Sequence, residues 1–371
     1  MAALMFVGIA QALFLCLLIG NKSSKKGFDY LLIIWLLLNC CNLLFYYFVF
    51  AGTADNMISW LIPLGLIPFA ATPTLYLYTR LLVSKSRLSA IEVIGCYSSF
   101  LICNIFLYQD YFNDKVSLSL SQGFFDFQGP ASFFSRYWAL IMAAVHILFI
   151  VASLVLLFRH KHRIKQEFSY DEQINLGWLR NWLVYSVPVF FISFSLVWVG
   201  VFGFIQMIEV FYGMSGFISV NIFVIGYFGL KQTTIFTGKH LSEPETNVEL
   251  REPQTVNSLE TKALKVETYL NESQAYINPQ LTLAELADGT GLPRNQLSAV
   301  INQYYGQNFF EYINSKRVDE FKQRVRDSSY SHLTLLGIAM DCGFNSKSSF
   351  NHIFKKTTGL TPGEYKKQHK S

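Results

Sequence analysis

The chain has 371 residues, of which 52% are hydrophobic, 16% aromatic and 15% charged, with 30 Lys and Arg against 25 Asp and Glu for a formal charge of +5. So apolar a composition excludes one ordinary soluble domain of this size, and so mild a charge implies no nucleic-acid partner by itself. The charge is uneven: residues 1–240 hold 15 Lys/Arg and 10 Asp/Glu, residues 241–371 hold 15 and 15, and the last third is therefore the more charge-dense part.

Seven apolar stretches occupy the first 230 residues, at 1–21, 30–54, 56–79, 88–108, 137–158, 182–204 and 210–230. About 20 residues rising 1.5 Å each cross roughly 30 Å of hydrocarbon, and these stretches reach that length. Glu92 is the one exception to their near freedom from charge, and none carries the polar stripe of a soluble helix. They predict a seven-helix transmembrane bundle in a lipid bilayer. The first lacks a basic amino-terminal region and an A-x-A-like cleavage site, so it reads as a span and not as a removed signal peptide.

Basic residues set the orientation, because short cytoplasmic loops retain Lys and Arg. Lys22, Lys25, Lys26, Arg80, Lys85, Arg87, Arg159, Lys161, Arg163, Lys165, Arg180, Lys231 and Lys239 fall on one side, against Lys115 and Arg136 on the other. Thirteen against two predicts an inner-membrane protein with its amino terminus outside and its carboxyl terminus in the cytoplasm. The longest outer loop, 109–135, is too short for a folded ligand-binding domain, which points any unknown signal ligand to that loop, the helix bundle or the lipid. Glu92 and His146 are the candidate intramembrane sensing residues. Their plainer readings are a Glu92 reaching the cytoplasmic interface and a neutral His146 bonded to a neighbouring helix. Cys16, Cys40, Cys41, Cys96 and Cys103 lie in apolar runs and Cys342 in the charged third, with no disulfide or zinc spacing. They read as small packed hydrophobes, and neither metal nor cofactor is expected.

Residues 231–258, rich in Thr, Glu, Pro and Ser, read as a flexible linker of roughly 30 Å root-mean-square span. Beyond it, 259–371 contain one pattern twice. Ala287, Gly291, Leu292, Leu297, Ile301, Gly306 and Tyr312 are echoed by Ala339, Gly343, Phe344, Phe350, Phe354, Gly359 and Tyr365, with one extra residue between Gly343 and Phe350. A small Ala lets a second helix approach, and Gly supplies the positive φ of a tight turn, so each copy predicts a helix-turn-helix unit, at about 282–304 and 334–357. Leu286, Leu297, Ile301, Ile338, Phe350 and Phe354 form the expected buried faces. The outward faces are polar: Arg294, Asn295, Ser298 and Asn302 in the first repeat, and Lys347, Ser348, Asn351, His352 and Lys355 in the second. Such side chains meet base edges and phosphates in a major groove. Between the repeats, 308–328 space Phe309, Tyr312, Ile313, Val318, Phe321 and Val325 as one long amphipathic helix. It would hold the two recognition helices about 34 Å apart, one duplex turn.

With Ile338, Ala339, Cys342-Gly343-Phe344, Ser346, Ser349-Phe350, Phe354-Lys355-Lys356, Gly359, Thr361-Pro362 and Tyr365 at fixed spacing, residues 259–371 resemble the DNA-binding domain of AraC/XylS-type bacterial regulators. The resemblance implies base contacts by Asn295, Ser298 and Ala299 and by Lys347, Ser348, Asn351 and His352, and Ser346 joins the candidate DNA-binding residues. Ser298 and Ala299 are smaller than the side chains common there, so readout leans on the second repeat. Residues 275–371 carry 12 Lys/Arg against 8 Asp/Glu, which fits phosphate contact.

The expected fold is therefore all-α, a seven-helix transmembrane bundle plus a cytoplasmic domain with two helix-turn-helix units joined by a long helix. The expected function is a membrane-bound transcription regulator of double-stranded promoter DNA, not an enzyme, with pairing of two chains or release from an inhibitory contact as alternative couplings. A transporter or intramembrane enzyme with a regulatory tail has thin support. No H-E-x-x-H, G-x-S-x-G or phosphate loop occurs, and Pro63, Pro68, Pro73 and Pro188 are weak hints of broken helices. The bundle as an inert anchor is the third reading.

Overall fold

A computed structural model describes residues 2–50, 63–84, 87–117, 126–127, 132–171, 174, 176–201, 207–231 and 256–369. Outside them lie 232–255 of the expected linker, residues 118–125 and 128–131 of the outer loop, 51–54 of the expected second span, 56–62 of the third and 202–204 of the sixth. The chain divides into an amino-terminal unit, Met1–Phe158 with Leu176–Thr234, and a carboxyl-terminal unit, Arg159–Asn175 with Ile235–Ser371.

In the amino-terminal unit, α1 (Ala2–Gly20) packs on α2 (Gly27–Phe50) and on α7 (Met207–Lys231). Helix α2 also packs on α3 (Pro68–Val83), α3 on α4 (Ala90–Phe112), and α6 (Gly177–Val201) on α7. Helix α5 (Phe133–Glu167) has non-helical angles at Tyr137, and its last turns belong to the other unit. Within the expected outer loop, Val116–Ser117 and Asp126–Phe127 pair antiparallel as two two-residue strands, β1 and β2. Six described helices, all but α3, are long and apolar enough to cross a membrane. Around the expected third span the backbone turns at Leu66 and Ile67, and α3 begins afresh at Pro68, whose missing N–H costs nothing at a first helical position.

Polarity in this unit runs opposite to that of a water-soluble bundle. Ile91, Ile105 and Leu148 are 84%, 63% and 62% exposed. The polar side chains turn inward, and each donates to the carbonyl four residues back on its own helix: Asn39 to Trp35 (2.8 Å), Thr74 to Ala70 (2.7 Å), Asn104 to Phe100 (2.9 Å) and Asn221 to Phe217 (2.7 Å). Such local satisfaction is what a helix interior without water requires. Where α1 meets α7, Gly8 and Gly226 allow close approach: a methyl group at either would collide with Ser219 Oγ or Leu15 Cδ1.

The carboxyl-terminal unit contains α8 (Val256–Ser273), α9 (Leu283–Thr290), α10 (Arg294–Ala299), α11 (Phe309–Arg326), α12 (Leu335–Asp341), α13 (Lys347–Thr358) and α14 (Pro362–Gln368). Helices α9 and α10 are the first repeat, α12 and α13 the second, and α11 is the connecting helix expected over 308–328. Helix starts are capped by side chains. Thr282 and Thr361 form capping boxes with Glu285 and Glu364, while Asn308, Thr334 and Ser346 each accept one backbone N–H. Two cores form. Leu286, Leu297, Ile301, Phe309, Tyr312 and Ile313 gather with Val266 and Leu270 of α8 in one. Val318, Phe321, Ile338, Phe350, Phe354 and Tyr365 gather in the other. Helix α11 thus gives its first half to one core and its second half to the other.

The four repeat glycines, Gly291, Gly306, Gly343 and Gly359, all have positive φ, at 64°, 65°, 94° and 76°. At Gly343 a Cβ would also lie 2.6 Å from the Ile277 carbonyl oxygen, which is backbone and has little room to yield. Gly343→Ala is expected to destabilise the carboxyl-terminal unit by about 1–3 kcal/mol from backbone strain, before any cost of the clash. Gly363→Ala, in open space in α14, is expected to be neutral or to stabilise by up to about 1 kcal/mol. Amide exchange of α12 and α14 across a urea series separates the two variants.

Candidate nucleic-acid interface

Helix α13 buries Phe350, Ile353 and Phe354 and turns Lys347, Ser348, Asn351, His352 and Lys355 to solvent, so these five candidates share one face. Ser346 sits at its start and is committed to it, accepting from the Ser349 N–H at 3.2 Å and bonding Ser348 Oγ at 3.0 Å. Lys356 pairs with Glu311 of α11 at 2.9 Å, and that ammonium holds the Glu311 carboxyl below its usual range. The lysines of α13 therefore divide into Lys347 and Lys355 on the open face and Lys356 tied back to the connecting helix.

The first repeat is built differently. Helix α10 has only six α-helical residues and continues as a π-helical turn, Val300–Tyr304, a feature without a local sequence signal. Leu297 and Ile301 are buried beneath it, while Asn295 and Asn302 are exposed and Arg294, Ser298 and Ala299 half-buried. The Asn302 amide donates to the Ser298 carbonyl (2.8 Å) and hydroxyl (3.1 Å), joining two candidates one turn apart. Arg294 and Asn302 also meet Glu167 and Gln166, from the segment Arg159–Asn175 of this same unit, at 3.7 and 3.3 Å.

Two residues absent from the sequence reading organise this region. Arg317, on α11, is 1% exposed, and burial pushes its guanidinium down to about 9. It donates through Nε to Tyr276 O (2.7 Å), through Nη1 to Ser169 O (3.0 Å) and Asn314 Oδ1 (3.1 Å), and through Nη2 to Ser169 Oγ (2.9 Å) and Asn278 O (2.8 Å). The available signal was a basic residue four positions after Ile313, on the apolar stripe of the connecting helix. Ser169 carried none.

Of the intramembrane candidates, Glu92 lies in the first turn of α4 and pairs with Arg80 at 3.3 Å. The structure does not bring it together with His146. His146 Nδ1 bonds Thr72 Oγ1 at 2.8 Å, and its ring stacks on Phe190 at 4.0 Å. It borders a cavity of about 170 Å3 lined mainly by apolar groups, with Asn39, Asn42, Thr72, Ser186 and Asn221 as polar points. Among the described residues no three His, Cys, Asp or Glu side chains cluster as metal ligands.

Residues 286–368 match the helix-turn-helix domain family. The match covers both repeats and the connecting helix. Over 86 residues the chain is 33% identical to a Streptomyces lividans protein named an AraC-like transcription regulator, an overlap of 23% of this chain and 27% of that one. A like-named Streptomyces antibioticus protein is 31% identical over 100 residues, 27% and 31% of the two chains. An HTH-type transcriptional regulator of Staphylococcus aureus is 29% identical over 102 residues, 28% and 13%. The chain thus spans under a third of the length of these relatives. No solved structure matches it. The likenesses support an AraC-type helix-turn-helix regulator, and they rest on the carboxyl-terminal unit.

The seating of α8 against α11 rests in part on a titratable contact, Glu267 with Lys316 and Tyr312. Burial raises the Glu267 pKa, but hydrogen bonds from Lys316 (2.6 Å) and Tyr312 (2.9 Å) outweigh it and hold the carboxyl below its usual value. A depressed carboxylate contributes stability that is complete above its unfolded pKa, about 4.3, and lost as pH falls through the lower folded value. Amide exchange of α8 is therefore expected to accelerate as pH falls from 6 to 3, after correction for intrinsic rates. Glu267→Gln is expected to flatten that dependence.

Proposed function

We propose that the chain is a multi-pass membrane protein of the cell's inner membrane whose cytoplasmic domain binds promoter DNA with sequence specificity and couples an extracytoplasmic or membrane signal to transcription. The observation that carries this reading is the open polar face of α13, presented by a helix pair that α11 ties to a second pair. Lys347, Ser348, Asn351 and His352 suit base-edge readout, Lys355 suits a phosphate, and Arg294, Asn295, Ser298 and Asn302 form the weaker second reader. On this reading residues 1–230 are the bundle with the amino terminus outside, 231–258 the linker and 259–371 the DNA-binding domain. The outward apolar surfaces of the six long helices support the bilayer as their solvent. The His146 cavity is the sensing site we favour, suited to a small uncharged ligand with one or two hydrogen-bonding groups. Pairing of two chains on adjacent half-sites belongs to the same reading, and no catalytic step does.

The test uses the full chain in lipid nanodiscs with duplexes selected from a randomised pool. Affinity is expected to fall steeply with salt, as counterion release at phosphates requires, and salt-independent binding would remove the phosphate contacts from the account. Lys347→Ala and Asn351→Ala are each expected to cost about 1–3 kcal/mol on the selected site and less on scrambled sequence. An equal loss on both would move those residues to the DNA backbone. Exchanging the spans of residues 1–158 and 176–230 for unrelated ones, with Arg159–Asn175 kept, is expected to abolish regulation of the mapped target promoter, and unchanged regulation would leave the bundle an anchor only.

A further inference from the structure

The segment Arg159–Asn175 belongs to the carboxyl-terminal unit, although the chain leaves it only to begin α6 of the other. It has a fold of its own. Ile164, Phe168 and Ile174 pack together beside Tyr170, and the buried His160 ring bonds the Ile174 carbonyl through Nε2 at 3.0 Å.

Its attachment is specific. Ser169, 1% exposed, donates from its N–H (3.1 Å) and its hydroxyl (2.8 Å) to the Leu281 carbonyl. The Ser169 carbonyl accepts from Asn314 Nδ2 at 3.0 Å as well as from Arg317, and Phe168 bridges Thr282, the residue that caps α9. Two of the five Arg317 hydrogen bonds end on this one serine. A buried guanidinium left without acceptors is costly, so the contact is strongly favoured while the segment is in place.

The docked segment touches two residues of the first reader, Arg294 and Asn302. Glu167 Oε2 is 3.7 Å from Arg294 Nη2, Asn302 donates to Gln166 Oε1 at 3.3 Å, and Lys165 lies over the Phe310 ring. Arg294 and Asn302 are two of the four first-repeat residues proposed to meet DNA. A carboxylate beside Arg294 would repel a phosphate approaching that side chain.

We propose that the segment Arg159–Asn175 and duplex DNA compete for one surface of the first repeat, so that the chain with this segment docked is masked and the chain with it withdrawn binds DNA through both repeats. The proposal rests on the DNA-binding reading above. It gives that reading an inhibitory contact and names the partner as a segment of this chain. Helix α5 carries both Glu167 and His146, so the masking segment and the proposed sensing residue lie on one element.

The experiment compares the wild-type chain with Ser169→Ala and Glu167→Gln, each full-length in nanodiscs, on a fluorescent duplex selected by the wild type. Ser169→Ala loosens the segment without changing charge. Glu167→Gln is a milder change that leaves the Ser169 anchor and the fold intact. Because apparent affinity scales with the competent fraction, both are expected to bind tighter, by about tenfold for Ser169→Ala and about threefold for Glu167→Gln. Hydrogen exchange across 164–171 of the wild type is expected to speed up when duplex is added, which a permanent structural brace would not show. Unchanged or weaker affinity in both variants, or segment amides equally protected with duplex bound, overturns the masking and leaves DNA binding standing. Duplex binding by none of the three forms overturns the DNA-binding reading, and the masking with it.

Discussion

Arg317 is a buried charge, and a guanidinium out of water has to find acceptors for its whole fork of N–H groups. Here they come from three places, one local and two distant in sequence: Asn314 on the same helix, the turn at Tyr276 and Asn278, and Ser169. Moving any one of the three strands a donor, so the position of one side chain specifies the arrangement of all of them. Arg317 also falls at the midpoint of α11, after Ile313 of the first core and before Val318 of the second. The two repeats are thereby two packed bodies on one rigid rod, with the charged clamp at the junction.

The two units satisfy their polar groups in opposite ways. In the amino-terminal unit many outward side chains are apolar, and inward Asn, Ser and Thr bond the preceding turn of their own helix, while the buried Tyr78 hydroxyl and Asn104 Oδ1 have no hydrogen-bond partner among the described residues. In the carboxyl-terminal unit the apolar side chains turn inward and the helix ends are closed by Thr, Ser and Asn caps. The same residue types serve opposite ends: Thr74 satisfies itself in mid-helix, and Thr282 starts a helix.

Much of this was legible in the sequence because it is written in local periodicity. The unstriped apolar runs, the doubled Ala-x3-Gly pattern, the glycines that require positive φ and the amphipathic stretch of α11 each depend on neighbours a few residues away. What stayed hidden depends on partners far off. Ser169 lies in a polar stretch indistinguishable from a solvated loop, and its acceptor Leu281 is 112 residues away. The π-helical turn after Ala299, with Val300 and Ile301 buried, has no matching residue preference in NQYY. At the site, the face of α13 could be drawn from spacing alone. The contacts of Arg294 and Asn302 with Glu167 and Gln166 could not, since they join residues more than 120 positions apart.

The two second helices differ in kind. Helix α13 is a regular three-turn helix with a serine cap, whereas α10 is a single α-helical turn or so running into a wider one. If both helices read DNA as proposed, unlike readers held in a fixed order by one rod make a molecule with a head and a tail. A binding site matched to it is itself directional, so inverting that site beside a gene presents a different sequence of half-contacts and not the same one reversed.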